Sequence, residues 1–482
     1  QESVKEYSIP PATPGCESVV MKFGGSSLSN LERISYVAEL VKRHVDAGYK
    51  PRAVVCSAMG KTTNSLISAS EFALSQGQVQ VESLQTLHMK TVRELGASNA
   101  TRESVEALLQ ELESVLVGVR YIGELTPRTR DLIVSFGERL SVRIMAAALN
   151  SIGVPAQYFD AWTLGLRSTA DFGNAEVLDG SYDAIRGIMN KLDDSCVAVV
   201  TGFIAQDDQG RITTLGRGGS DLTASVVGSA LGVDEVQVWK DVDGIMTADP
   251  RLVAAARPVD AVSFEEASEL AYFGAEVLHP ISMMPAMRYN IPVRVKNSYN
   301  PPSPGTVIRD KRDANAGLVT AITSKSGVQL IDIVSTRMLG QHGFLARVFD
   351  VFEESKLSVD VVATSEVSIS LTLDKANRER GEADRLMQRL LEFSEVTIKD
   401  DRAIVSLIAD VLRSSEVMAI VFNAFAAHGI QVEMLSQGAS KVNISIIVHK
   451  DQAVKAVRLL HSCFFEGGCP NPDDDDAPSN EP

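Results

Sequence analysis

Between residues 18 and 296, short apolar runs alternate with longer stretches of helical period, and few folds accept that alternation. Runs at 18–23, 52–57, 154–159, 197–204, 235–239 and 293–296 read as strands. Stretches at 31–47, 63–76, 82–95, 101–117, 131–149, 221–230, 263–273 and 281–289 read as helices. Strands separated by helices predict an α/β fold, a parallel-rich sheet sandwiched by helices.

The stretch 296–316 is rich in Pro, Asn, Asp, Lys and Arg and reads as a linker. Beyond it the chain repeats itself. An offset of 73 places Val348, Phe349, Phe352, Leu357, Val359 and Asp360 on Val421, Phe422, Phe425, Ile430, Val432 and Glu433. An offset of 75 places the alternating run 367–371 on 442–446. Each repeat reads strand, helix, strand, strand, helix, strand, the ferredoxin-like order. The expected divisions are a flexible lead-in at 1–17, a large α/β domain at 18–300 and a linker at 301–317. Two small domains at 318–400 and 401–466 and an acidic tail at 467–482 follow.

The net charge of −16 argues against nucleic-acid or membrane-surface binding. No apolar run reaches the ~18 residues of a membrane span. The five cysteines lack zinc spacing and read as reduced thiols, so no protein-held metal site is expected. The first residue is Gln1, which is compatible with a removed targeting peptide.

Five segments carry candidate chemistry. Lys22-Phe23-Gly24-Gly25-Ser26-Ser27 follows an apolar strand; its glycines let backbone N–H groups approach an anion, with Lys22 at hand for a phosphoryl group. A tight turn with a surface lysine is the alternative. Gly60-Lys61-Thr62 resembles the end of a P-loop, but Val55 stands where the first glycine belongs. The segment from Ser57 to Asn64 still joins a strand to a helix, as a ligand contact or as a cap. In Thr213-Thr214-Leu215-Gly216-Arg217-Gly218-Gly219-Ser220-Asp221, the guanidinium suits a carboxylate, and Asp221 suits an ammonium group or caps its helix. Together they suit a zwitterionic amino acid. Glu138 lies within a helical pattern, where an exposed Glu-Arg pair is the alternative. Trp239-Lys240-Asp241-Val242-Asp243-Gly244 ends a strand with carboxylates for a ribose, an adenine amine or Mg²⁺, or forms an ordinary Asp-rich turn.

In this order and spacing the motifs resemble the aspartokinases, of the amino-acid kinase fold, over residues 18–465. The length resembles the monofunctional form, and the repeats resemble tandem ACT domains. The resemblance implies ATP-dependent phosphorylation of the β-carboxylate of L-aspartate to 4-phospho-L-aspartate, the first step of lysine, threonine and methionine biosynthesis. ATP and Mg²⁺ are the implied cofactors. Lys22, Asp221 and Arg217 would be catalytic. Ser57, Thr63, Glu138, Arg217, Ser220 and Asp221 would bind aspartate. Lys22, Gly24, Gly25, Ser26, Lys240, Asp241, Asp243, Arg251 and Lys296 would bind ATP. Lys240 and Met246 depart from the bacterial pattern, which bears on nucleotide packing; Lys240 and the lead-in look closer to plant members.

The first repeat carries Met338-Leu339-Gly340-Gln341-His342-Gly343-Phe344-Leu345-Ala346 at a strand-to-helix joint, where exposed N–H groups can hold a carboxylate. Met338, Gly343, Phe344, Leu345, Ala346, Ser358, Val359, Asp360, Thr364, Ser365 and Glu366 are the expected effector contacts. The second repeat lacks this entry. The resemblance implies inhibition by lysine, with S-adenosylmethionine as a weaker co-effector candidate. It implies a chloroplast location if the source is a plant, and a cytoplasmic one otherwise. Edges of ferredoxin-like sheets invite pairing, so a homodimer through these domains is expected, with a tetramer as the alternative. Two rivals stand: a kinase acting on glutamate or acetylglutamate, and a noncatalytic amino-acid sensor. The absence of a catalytic histidine from the motifs suits an acceptor that is already ionised.

Overall fold

The computed structural model describes residues 9–12, 15–274, 277–312, 317–334, 343–355, 357–365, 368–374, 382–438 and 440–470. They form two units, 1–245 with 260–264 and 277–312, and 246–259 with 265–276 and 313–482.

In the first unit, β1 (Ser18–Phe23), α1 (Leu31–Asp46), β2 (Lys50–Cys56), α2 (Thr62–Gln76), α3 (Glu82–Glu94), α4 (Asn99–Ile122), α5 (Pro127–Ser151) and β3 (Ala156–Phe159) follow the expected order. Next come α6 (Gly180–Met189), β4 (Val197–Thr201), the hairpin β5 (Ile204–Gln206) and β6 (Ile212–Thr214), α7 (Gly219–Leu231) and β7 (Glu235–Lys240). The run 197–204, expected as one strand, breaks at Phe203, whose φ of 68° ends β4 and turns the chain into the hairpin. β8 (Ala261–Ser263), α9 (Pro280–Arg288), β9 (Val293–Asn297) and β10 (Thr306–Arg309) complete this unit, whereas α8 (Phe264–Tyr272), which follows β8, belongs from residue 265 onward to the second.

One sheet runs β3-β4-β2-β1-β7-β9-β10-β8, parallel except for the β9–β10 pair. Apolar side chains fill both faces of its centre: Val20, Met21, Val54, Val55, Val199 and Trp239 are fully buried. That is why these strands lack polar alternation. β10 lies inside the stretch read as a linker; its Val307 and Ile308 pair with both β9 and β8, and their short run within polar sequence concealed it.

The second unit holds β11 (Val319–Val334), α10 (Phe344–Glu354), β12 (Val362–Thr364), β13 (Ser368–Asp374), α11 (Glu382–Leu391), β14 (Glu395–Ala409), α12 (Ser414–Ala427), β15 (Met434–Gln437), β16 (Asn443–His449) and α13 (Lys450–Phe465). They build one antiparallel sheet, β12-β13-β11-β14-β16-β15. The internal repeat is real in space: Val348 and Phe352 on α10 and Val421 and Phe425 on α12 are all buried. The second repeat does not end on a sixth element of its own. The first half of β11 pairs with the second half of β14 (Thr323 with Ser406, Ser324 with Val405) and supplies that strand from before the first repeat. Two long shared strands thus weld the repeats edge to edge within one chain.

The expectation of five reduced thiols is corrected at the end of α13, where Cys463 and Cys469 form a disulfide. Gly467, with φ 99°, turns the chain back and brings the two Cα atoms to 4.1 Å. Cys16, Cys56 and Cys196 are free. Among the described residues no helix is long and apolar enough to cross a membrane.

Candidate functional site

The parallel strands β1, β2, β4 and β7 end at one edge of the first sheet, where open α/β sheets form ligand crevices. An open cleft of ≈ 390 Å³ lies there, lined by Lys22, Gly25, Ser57, Ala58, Gly60, Thr63, Asn64, Glu138, Phe203, Gly216, Gly218, Gly219, Ser220 and Asp221. Segments far apart in the chain meet in it.

Lys22 is the penultimate residue of β1, and its side chain is 7% exposed. The turn after it touches the turn after β2: the Gly60 N–H donates to the Gly25 carbonyl at 3.0 Å, and the Ser57 N–H to that of Phe23 at 3.1 Å. A Cβ on Gly25 would stand 2.9 Å from the Gly60 oxygen, so the two turns can close only over glycine. Ser26 is anchored by its carbonyl, which accepts from the Tyr299 hydroxyl at 2.9 Å.

α7 carries the second set. Gly218, at φ 76°, precedes it in a left-handed conformation, and a Cβ there would meet the His279 side chain at 2.8 Å. Asp221, in the first turn of α7, has Oδ1 2.6 Å from Lys22 Nζ and Oδ2 3.4 Å from Lys240 Nζ. Burial pushes the Asp221 carboxyl up, but Lys22 and Lys240 outweigh it and hold it below its ordinary value. Burial lowers the Lys240 ammonium, against the pull of Asp221. Lys240 also donates to the Val277 carbonyl. Lys240 was expected to serve the nucleotide; it is joined here to Asp221 and Lys22 in one charged triad. Ser57 Oγ donates to Ser220 Oγ at 3.0 Å, which ties the segment after β2 to α7.

Glu138, on α5, is buried rather than the exposed partner of an arginine. Its Oε1 accepts from the Ala58 N–H at 3.1 Å, and its Oε2 has no hydrogen-bond partner. Burial raises this carboxyl to about 8. Gly137 allows the approach, since a Cβ there would lie 2.7 Å from that of Ala58. Thr63 lines the same wall, and Arg217 is exposed between its two glycines.

The other nucleotide candidates are spread more widely. Asp241 is exposed, whereas Asp243 accepts from Asn297 at 2.9 Å and Asn300 at 3.0 Å. Lys296 donates to the Ser303 carbonyl at 3.1 Å and lies 5.1 Å from the centre of the Trp239 ring; burial lowers its ammonium to about 8. Arg251 belongs to the second unit, where it pairs with Asp249 at 2.7 Å. In the first repeat, Gly343 precedes α10 at φ 86°, and Asp360 lies between α10 and β12. Met338 and Glu366 lie outside the described residues.

Sequence reasoning missed Asp131 and Phe203, whereas Asn64 closes the segment from Ser57, read in sequence as a ligand contact or a cap. Asp131 accepts from the Thr214 N–H, the Thr214 hydroxyl and the Gly173 N–H, each at 2.9 Å, and so fixes the strand that leads to Arg217. An acid at the head of an apolar helical run was its only signal. Phe203 carried none.

The model of the amino acid kinase family matches residues 17–297, and an ACT domain model matches residues 405–464. Aspartokinase 2, chloroplastic, of Arabidopsis thaliana is 49% identical over 465 residues, covering 93% of this chain and 84% of the relative. The lysine-sensitive aspartokinase 3 of Escherichia coli is 35% identical over 459 residues, covering 93% of this chain and all of the relative (100%). The crystal structure of E. coli aspartokinase III in complex with lysine and aspartate superposes with a TM-score of 0.75 at 32% identity, covering 93% of this chain and 100% of that one. A second structure of that enzyme, with aspartate and ADP, also gives 0.75 at 32%, covering 92% of this chain and 99% of that one.

Proposed function

The chain belongs to the aspartokinases of the amino-acid kinase family, and from that premise we propose that it transfers the γ-phosphoryl group of ATP to the β-carboxylate of L-aspartate. A carboxylate oxygen forms the new O–P bond, the bond to the leaving ADP oxygen breaks, and 4-phospho-L-aspartate results. The nucleophile is an anion at neutral pH and needs no general base. The difficulty is that an anion must approach a polyanion, so charge neutralisation and positioning supply the catalysis. One observation carries this reading: Lys22 and Lys240 converge on Asp221 in the cleft that Glu138 and Ser57 line.

In this reading Lys22, with Gly24, Gly25 and Ser26, receives the phosphates, and Lys240, Asp241, Asp243 and Lys296 flank the nucleotide. The unpartnered Oε2 of Glu138 suits the substrate ammonium, whose charge would draw the proton from this raised carboxyl on binding. Arg217 and Ser220 suit its α-carboxylate, and Ser57 and Thr63 its side chain. Among the described residues no group of three or more His, Cys, Asp or Glu side chains converges as a metal site; Mg²⁺ would arrive on the nucleotide phosphates and neutralise them. A hydroxamate assay with ATP, Mg²⁺ and aspartate, glutamate or acetylglutamate tests the proposal. Product with aspartate is expected, and product only with another acceptor would overturn it.

The same premise supports feedback inhibition by L-lysine at the first repeat, through Gly343 to Ala346, Ser358 to Asp360, Thr364 and Ser365. S-adenosylmethionine stands as a second candidate effector. A chloroplast location is supported by the chloroplastic relatives. A homodimer is supported by the edge strands β12 and β15.

A further inference from the structure

Asp360 is met by two groups of its own chain. Lys325 Nζ, on β11, lies 2.8 Å from Oδ2, and the Tyr272 hydroxyl, at the end of α8, donates to Oδ1 at 3.0 Å. Lys325 also lies 5.6 Å from the centre of the Tyr272 ring, so the three side chains form one cluster. The Asp360 side chain is 7% exposed, and its backbone is pinned by an N–H donated to the Thr372 carbonyl at 3.1 Å. The acid is fixed, whereas its lysine partner rides on a flexible stem and is 23% exposed.

The internal repeat provides a second copy for comparison. Asp360 corresponds to Glu433, and Glu433 is also neutralised from within: Arg402 Nε lies 2.7 Å and Lys399 Nζ 3.8 Å away. Both repeats therefore seat a resident cation on this acid. The second repeat uses a guanidinium supported by a lysine, whereas the first uses a lysine.

We propose that Lys325 is a tethered competitor for the ammonium group of the effector, occupying on Asp360 the place that a free amino acid's ammonium must take. The inference rests on the effector reading above. Both Asp360 oxygens already hold a donor of this chain, Lys325 on Oδ2 and Tyr272 on Oδ1, and an ammonium arriving beside Lys325 is repelled by it. A ligand ammonium therefore binds only as Lys325 leaves, and its apparent affinity falls by the fraction of molecules in which the acid is available. Departure of Lys325 also alters the contacts of Tyr272 on α8, which follows β8 directly in the chain.

The test is isothermal titration of L-lysine into the full-length protein, wild type, Lys325→Met and Lys325→Arg. Lys325→Met should bind about tenfold more tightly, the gain for an acid available in one molecule in ten. Damage to the fold would lower affinity, not raise it. Lys325→Arg keeps the charge and the fold and should bind more weakly than wild type, because a forked donor is harder to displace. Equal or weaker binding by Lys325→Met, or unchanged binding by Lys325→Arg, in a protein whose wild type binds L-lysine overturns the competitor and leaves the effector reading standing. Binding by neither wild type nor Lys325→Met overturns both.

Discussion

The Nζ atom of Lys22 lies 2.6 Å from Oδ1 of Asp221, while Lys240 approaches the other oxygen at 3.4 Å. One carboxylate thus carries two ammonium groups, leaving a net positive charge on the three side chains.

Removing Lys22 should chiefly slow turnover. Lys22→Ala is expected to lower kcat by about 10²–10³, or about 2.7–4 kcal/mol, the loss of one preorganised donor at developing charge. Steady-state kinetics at saturating ATP and aspartate measure it, and near wild-type turnover would remove Lys22 from the mechanism.

Arg217 should act on binding. It is exposed between Gly216 and Gly218, which line the cleft, and Arg217→Ala is expected to cost about 1.5–3 kcal/mol of charge-assisted hydrogen bonding, raising the KM for aspartate by about 10- to 100-fold. An unchanged KM contradicts the assignment.

Glu138 should make stability depend on pH. Its carboxyl is raised from 4.5 to about 8, so the folded protein holds a proton that the unfolded chain releases above 4.5. The stabilisation is fully present below 4.5 and is lost as pH rises through about 8. Glu138→Gln stays neutral, so the fall in Tm between pH 6 and 9 should be smaller than in wild type. Parallel melting curves for the two proteins across that range would refute the linkage.

Gly137 should tolerate no side chain. The added methyl of Gly137→Ala would stand 2.7 Å from the Ala58 Cβ, and the backbone N–H of Ala58 is what Glu138 holds. Overpacking of this kind costs about 1–3 kcal/mol. Chemical denaturation should show that loss together with reduced activity, and a variant of wild-type stability would show that the turn can move.

The amino-acid sequence by itself determined the alternation of strands and helices, the glycine turns and the internal repeat. The first two are local patterns written in residues a few positions apart, and the third is a recurrence at offsets of 73 and 75. The strand at Thr306–Arg309 escaped because its apolar core is two residues long, Val307 and Ile308, and its reason for existing is pairing with β8 and β9. Only the tertiary structure decided that Ser57 meets Ser220 across 163 positions and that Lys240 turns to Asp221. It also decided that the second repeat borrows a strand from before the first and that Glu138 is buried. Such contacts depend on how strands line up side by side and on which charges lose their water, and no short window of sequence records either.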